Sequence, residues 1–476
     1  MHTTSITTTL LALTSLALSA AIPDGTTHHG SVTYCSGPNA CAPMTIKNEN
    51  CLTFGSPMTH LTFSAGLSCD LYANPDCTGK FGSSEGKVRN VEGVFDVGTD
   101  ARAKAHGVEG LFSRGYQSPI VVLFGYEASA FTWKARWALK IKQIPYTFIT
   151  VPSMMPRPVL KDTFGLTYRK IPVLAIGKEL YCDTSLIVEA LEHFFPDSEG
   201  YQSLYPRAAD GRTYRPMMRG FASYWIDRPF FRATCGLMPG SVWRTSFGQD
   251  RAGLIGHTLD ADKLEKKIPE NMSRFDMQLS LLEPLFDQKD SPWIFSTSAP
   301  SLADLAMYYQ LWWGVEVAKG HLINNLTAGG TEDTDTEGAE AVFNAKRYPG
   351  VFTWYRTMQR YLDNLPSVEN KDPAFSEVLQ QIKKSPSLGR KSLLLPTPRS
   401  SHTELDRKCG LVEGSLVSVA PDDTGMNDPT IGTLVALSPE EVVLKPQTLD
   451  KAAEVEARIH FPRLGFVIRL AERSKL

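Results

Sequence analysis

Ile120-Val121-Val122-Leu123-Phe124 leads into Gly125-Tyr126-Glu127-Ala128-Ser129, and Phe131 to Ile141 follows. An unbroken apolar run of this length reads as a buried strand. The short turn after it gives way to helical spacing. Tyr146 to Val151 reads as a second strand. Further on, Lys170-Ile171-Pro172-Val173-Leu174 sets a proline inside what should be a strand. Proline donates no N–H to a ladder, so it marks either an edge or a cis peptide. Asp183 to Leu191 closes the stretch as a capped amphipathic helix.

Three segments within this order carry a family resemblance. Ser129-Ala130-Phe131-Thr132-Trp133-Lys134-Ala135-Arg136 resembles the active-site turn and first helix of serine-type glutathione transferases such as tau and zeta. Lys170 to Leu174 resembles their cis-proline segment. Asp183-Thr184-x-x-Ile187-x-x-Ala190-Leu191 resembles the family's Glu/Gln-Ser-x-x-Ile-x-x-Tyr-Leu, with Asp for Glu, Thr for Ser and Ala for Tyr. The resemblance implies a thioredoxin-like α/β domain over 118–200, with Pro172 cis, and an all-α domain over 201–382. It further implies glutathione as co-substrate, a small apolar electrophile as second substrate, and leaves a homodimer open.

The resemblance also distributes roles. Ser129 would donate a hydrogen bond to the glutathione sulfur, aided by the dipole of the helix it precedes. Taken by itself, Ser129 reads better as a helix N-cap. A cysteine there would suit thiol transfer through the enzyme; its absence argues against that chemistry. Asp183 and Thr184 would cradle the γ-glutamyl end at a helix start, with Thr184 also a candidate cap. Ile171, before Pro172, would offer its backbone to the cysteinyl part as an added strand does. Arg157 stands where tau and omega members place a lysine for the glycine carboxylate; alone, it reads as a solvated loop charge. Tyr224, Trp225 and Trp312 are the candidate electrophile pocket, against the plainer reading of core packing. Ser301-Leu302-Ala303-Asp304 is a capping box that starts a buried helix. The Gly-rich stretch Gly236 to Gly256 departs from the better-known members.

The ends read differently. Residues 1–21, with an apolar Leu10 to Leu18 and the small Ser19-Ala20-Ala21, read as a secretory signal. Five of the eight cysteines follow in 22–98, namely Cys35, Cys41, Cys51, Cys69 and Cys77. Behind a signal they imply a disulfide-rich β module with one thiol left over, similar to small secreted fungal proteins. Residues 99–117 read as a linker, and 383–404 as a second one, rich in proline and basic residues. Alternating runs across 405–476 suggest a small β-barrel. The expected architecture is therefore multidomain: cysteine-rich module, thioredoxin-like α/β domain, helical domain, small barrel. The net charge of −2 implies neither nucleic acid nor a membrane surface as partner. No run is long enough to span a bilayer. His460 has no Cys or His at metal spacing, so no metal is expected. A secretory signal points outside the cell, whereas the transferase-like body alone points to the cytoplasm. Two further readings stay open: a glutathione-binding protein without turnover, and a secreted module joined to a neighbouring gene.

Overall fold

Val121–Gly125 (β1) lies inside a sheet, flanked by a strand on each side, with all five residues buried, as its apolar run requires. The computed structural model describes residues 119–287, 291–331, 338–389, 392–447 and 453–471, and before them only the backbone of short strands between residues 17 and 96. The chain divides into two units, residues 1–118 with 198–200, and the remainder. In the first unit, His29–Cys35 pairs with Cys41–Lys47 and with His60–Phe63, which pairs with Val94–Asp96. Ala17–Ser19 pairs with Leu52–Thr53 and Asp70–Tyr72. The expected disulfides of Cys35, Cys41, Cys51, Cys69 and Cys77 lie outside the described residues, as does the stretch 332–337 of the acidic loop.

In the second unit β1 leads through Ala130–Ile141 (α1) to Tyr146–Thr150 (β2), which pairs parallel to β1. Such a β-α-β crossover lays the helix over the sheet. Pro158–Phe164 (α2) precedes Val173–Ile176 (β3) and Glu179–Cys182 (β4), an antiparallel hairpin whose β3 also pairs with β1. Thr184–Phe194 (α3) packs back over it. This is the thioredoxin-like arrangement expected from sequence. Ile171–Pro172 is cis, and so is Met155–Pro156.

The helical region opens with Arg215–Gly220 (α4), a π-helical segment Phe221–Phe230, and Phe231–Cys235 (α5). Pro229 within that segment lacks the N–H that α-helical bonding needs there, in keeping with the widened register. The Gly-rich stretch folds as Gly240–Trp243 (α6) and Ser246–Ile255 (α7), so it is ordinary helical structure. Ala261–Lys266 (α8) and Ile268–Leu282 (α9) follow. Leu302–Ala318 (α10) is buried along almost its whole length and packs on α1 and the π-helical segment. Its start is the expected capping box, with the Asp304 carboxylate accepting from Ser301 N (2.9 Å), Ser301 Oγ (2.7 Å), Ile294 N (2.8 Å) and Trp354 Nε1 (2.9 Å). Burial pushes the Asp304 carboxyl up in spite of these donors. Ile323–Thr327 (α11), Pro349–Asn364 (α12) and Phe375–Lys384 (α13) complete the helices of this region, with Glu369–Lys371 (β5) pairing parallel to β2 between the last two.

The tail departs from the expectation of a separate small barrel. Leu416–Pro421 (β6), Thr430–Leu437 (β7), Glu441–Pro446 (β8), Arg458–Pro462 (β9) and Phe466–Leu470 (β10) do form an antiparallel ladder, but β9 pairs parallel to β4. The strand order is β5-β2-β1-β3-β4-β9-β8-β7-β6-β10, one sheet through both parts. The stretch between α13 and the tail packs too. Leu388 N and Leu395 N bond to Glu179 and Glu441, and Leu393 and Leu395 are buried.

A buried ionic cluster joins the tail to the edge of the thioredoxin-like sheet. His460 Nδ1 lies 2.6 Å from Glu441 Oε1, and its Nε2 lies 3.0 Å from Glu179 Oε2. Arg458 Nε meets Glu179 at 2.8 Å. Only the imidazolium supplies a donor to each carboxylate. Burial alone would lower the His460 pKa, but the two carboxylates outweigh it and hold the value above the ordinary one. For Glu179, burial acts upward, and His460 with Arg458 bring its pKa below the usual range.

Candidate active site

Strand register brings the three resembling segments to one end of the sheet. Val173 pairs with Phe124 on one side and with Cys182 on the other. Pro172, one residue earlier, therefore falls beside both Gly125 and Asp183. The turn carrying Ser129, the Ile171–Pro172 peptide and the start of α3 share that end.

Ser129 is the N-cap of α1, its Oγ accepting from Thr132 N at 3.2 Å. The capping reading is thus correct. The hydroxyl proton stays available, because an acceptor oxygen can still donate. Gly125 allows the turn to close, since a Cβ there would lie 2.5 Å from Thr132 Cγ2. The helical region grips this turn. Ala128 N donates to Asn325 Oδ1 (2.8 Å), and Ala128 O accepts from Trp313 Nε1 (2.9 Å). Glu127 is paired with Arg136 and Lys371. Burial raises the Glu127 pKa, but the two cations hold it below the usual range.

At the start of α3 the N-cap is Asp183, which corrects the assignment of Thr184 as cap. Asp183 Oδ1 accepts from Ser185 N at 2.9 Å and from Ser185 Oγ at 2.6 Å. Its backbone sits at φ 71°, a conformation rare outside glycine that is kept where structure over-determines it. Thr184 Oγ1 accepts from the buried Lys134 Nζ (3.2 Å), which also meets Asp227 Oδ2 at 2.6 Å. Tyr309 OH donates to the other Asp227 oxygen at 2.7 Å. Burial raises the Asp227 pKa despite these partners. Sequence reading missed Lys134 and Asp227. A lysine among polar helix positions carries no sign that it points inward. With its oxygen accepting from Lys134, the Thr184 hydroxyl directs its proton away from the lysine. Cys182, beside the pair, is a packing residue whose thiol burial pushes well up.

Two assignments change. Arg157 is buried and bonded to loop carbonyls, through Nε to Pro152 O (2.8 Å), through Nη2 to Ser153 O (3.0 Å) and through Nη1 to Arg169 O. Burial and the neighbouring Arg251 and Arg169 bring its pKa down to about 10, so it is neither a solvated charge nor a free carboxylate ligand. Tyr224, Trp225 and Trp312 do not converge. Tyr224 is exposed, Trp225 donates to Gln278 Oε1 at 2.5 Å, and Trp312 packs on Trp133 and Trp137 at 4.7 and 5.0 Å between ring centres. Tyr224 and Trp225 both lie in the π-helical segment. Among the described residues no group of three or more His, Cys, Asp or Glu could hold a metal, and no helix is long and apolar enough to cross a membrane.

A family model for the glutathione S-transferase N-terminal domain matches residues 123–199, and a model described as a domain of unknown function matches residues 237–330. A probable glutathione S-transferase of Solanum tuberosum is 31% identical over 129 residues, 27% of this chain and 51% of that protein. The chain thus spans about half the length of the curated relative it matches. A GST-like protein from Pseudomonas syringae is 22% identical at a TM-score of 0.46, over 74% of this chain and all of the other. A rice transferase solved in complex with glutathione is 18% identical at a TM-score of 0.35, over 56% of this chain and 96% of the other. Residues 123–199 are thus glutathione S-transferase-like, in a thioredoxin-like fold that a helical region follows.

Proposed function

We propose that the protein binds glutathione at this end of the sheet and adds its thiolate to a small apolar electrophile, in the manner of a serine-type transferase. The observation that carries the reading is the convergence of Ser129, cis-Pro172 and the Asp183–Thr184 helix start on one strand end, with a buried lysine behind Thr184. Asp183 meets the glutathione amine. The Thr184 hydroxyl and the N–H groups opening α3 meet the γ-glutamyl carboxylate. The backbone of Ile171 pairs with the cysteinyl unit. Ser129 donates to sulfur and favours the thiolate, whose proton leaves to solvent. A sulfur lone pair then forms the bond to the electrophilic carbon of an activated double bond, whose π electron pair shifts to the far atom and is protonated from water.

Titration calorimetry of the full chain with glutathione tests this. One-site binding is expected, weakened at least tenfold in Asp183→Asn, which keeps the side-chain shape at a positive φ. Absence of binding heat at any temperature, together with no displacement by a glutathione analogue, would contradict it.

A further inference from the structure

The residues proposed to bind glutathione are largely covered. Ser129 is 6% exposed, Ile171 9% and Thr184 4%. A loop of the tail is fastened to residues next to this site. The loop between β6 and β7, residues 422–429, bonds to both walls of the region. Toward the thioredoxin-like wall, Asp423 Oδ1 meets Lys170 Nζ at 2.6 Å and Asp428 Oδ2 meets Arg169 Nη1 at 3.2 Å. Those two cations directly precede Ile171–Pro172. Beside them Thr167 Oγ1 lies 3.2 Å from Pro429 O and 3.3 Å from Thr430 Oγ1. Toward the helical wall, Asp422 Oδ1 meets Arg228 Nη2 at 3.3 Å, and Gly425 N donates to Leu254 O at 2.7 Å. Gly425 has φ +84°, so a side chain at the tip would be strained.

We infer that the 422–429 loop is a lid over the proposed glutathione site, held shut by three ion pairs and opened to admit ligand. The inference rests on that site reading for its occupant. The fastening itself is independent of it. Three carboxylates on one short loop each face a cation, and the cations stand on two different walls. A loop that only decorated the tail would bond to one wall or to solvent. All three pairs are partly open to solvent, with side chains 13–42% exposed, so each is weak and screened by salt. Weak pairs acting together suit a latch that opens readily, and they are absent from the chemistry proposed for Ser129.

The test is labelling of a Ser129→Cys variant of the full chain by iodoacetamide, read peptide by peptide by mass spectrometry. Cys409, which is exposed, serves as control. Adding Asp422→Asn, Asp423→Asn and Asp428→Asn should speed labelling at position 129 about tenfold, the scale of three partly exposed pairs lost together. Cys409 should not change. Molar salt should speed position 129 in the same way without those substitutions. Equal rates at position 129 in both proteins and at both salt levels would overturn the lid. Should the triple substitution fail to fold, Thr167→Cys with Thr430→Cys offers the converse. Oxidation to a disulfide should halt labelling at position 129 and reduction should restore it; undiminished labelling when oxidised overturns the proposal. Calorimetry on the unsubstituted protein separates the two ideas, because latched labelling without glutathione binding leaves the lid standing and removes its proposed occupant.

Discussion

Replacing His460 by alanine removes the only donor that two buried carboxylates share. Glu441 keeps Leu395 N at 2.7 Å but loses its cation, whereas Glu179 keeps Arg458 and Leu388 N. One carboxylate is thus left buried without a countercharge, a change that costs about 3–5 kcal/mol. The folded His460 titrates above its unfolded value of about 6.5. Its stabilisation is therefore complete below that pH and is lost as pH rises through the folded value. Amide exchange of β8 and β9, corrected for intrinsic rates, and denaturant unfolding from pH 6 to 9 would measure both effects. Wild type should lose protection in these strands toward alkaline pH. The variant should be weaker at pH 6 and lack that pH-dependent component. A variant within about 0.5 kcal/mol of wild type with the same pH slope would refute the reasoning.

Lys134→Met should weaken glutathione binding about tenfold, by loss of a charge-assisted bond to Thr184, while the pKa of the bound thiol stays put, as calorimetry and thiol titration would show. Trp313→Phe leaves Ala128 O without its buried donor; about 1–2 kcal/mol of stability should go, and kcat should fall more than KM rises. Asp304→Ala strands four donors and should cost at least about 3 kcal/mol in denaturant unfolding without altering glutathione affinity in whatever fraction stays folded.

The parts that were legible in sequence are those decided locally. An apolar run, a cap followed by helical spacing, and a proline before a strand each report on their own few residues. They gave β1, α1, the cis-proline segment, α3 and the Ser301–Asp304 box. What was hidden depends on distant pairing. Glu179 and His460 lie 281 residues apart, and nothing near either marks the other as its partner. The tail's alternation announces strands but not that β9 joins the edge of β4, since an edge accepts any strand with matching groups. Lys134 and Arg157 were opaque because a charge in sequence does not say whether it faces water or a buried partner. Tyr224 and Trp225 were misplaced because an aromatic side chain in sequence does not say which way its ring points.

The most direct test of the central claim is the ionisation of glutathione bound to the protein, followed by ultraviolet absorbance of the thiolate as pH is raised. The account predicts a thiol pKa below that of free glutathione. Ser129→Ala should raise it by about one to two units, the worth of one hydrogen bond to a charged acceptor. Conjugation near neutral pH should fall about ten- to a hundredfold while affinity for glutathione hardly changes. A bound thiol with the same pKa in both proteins, with full conjugating activity in Ser129→Ala, would contradict it.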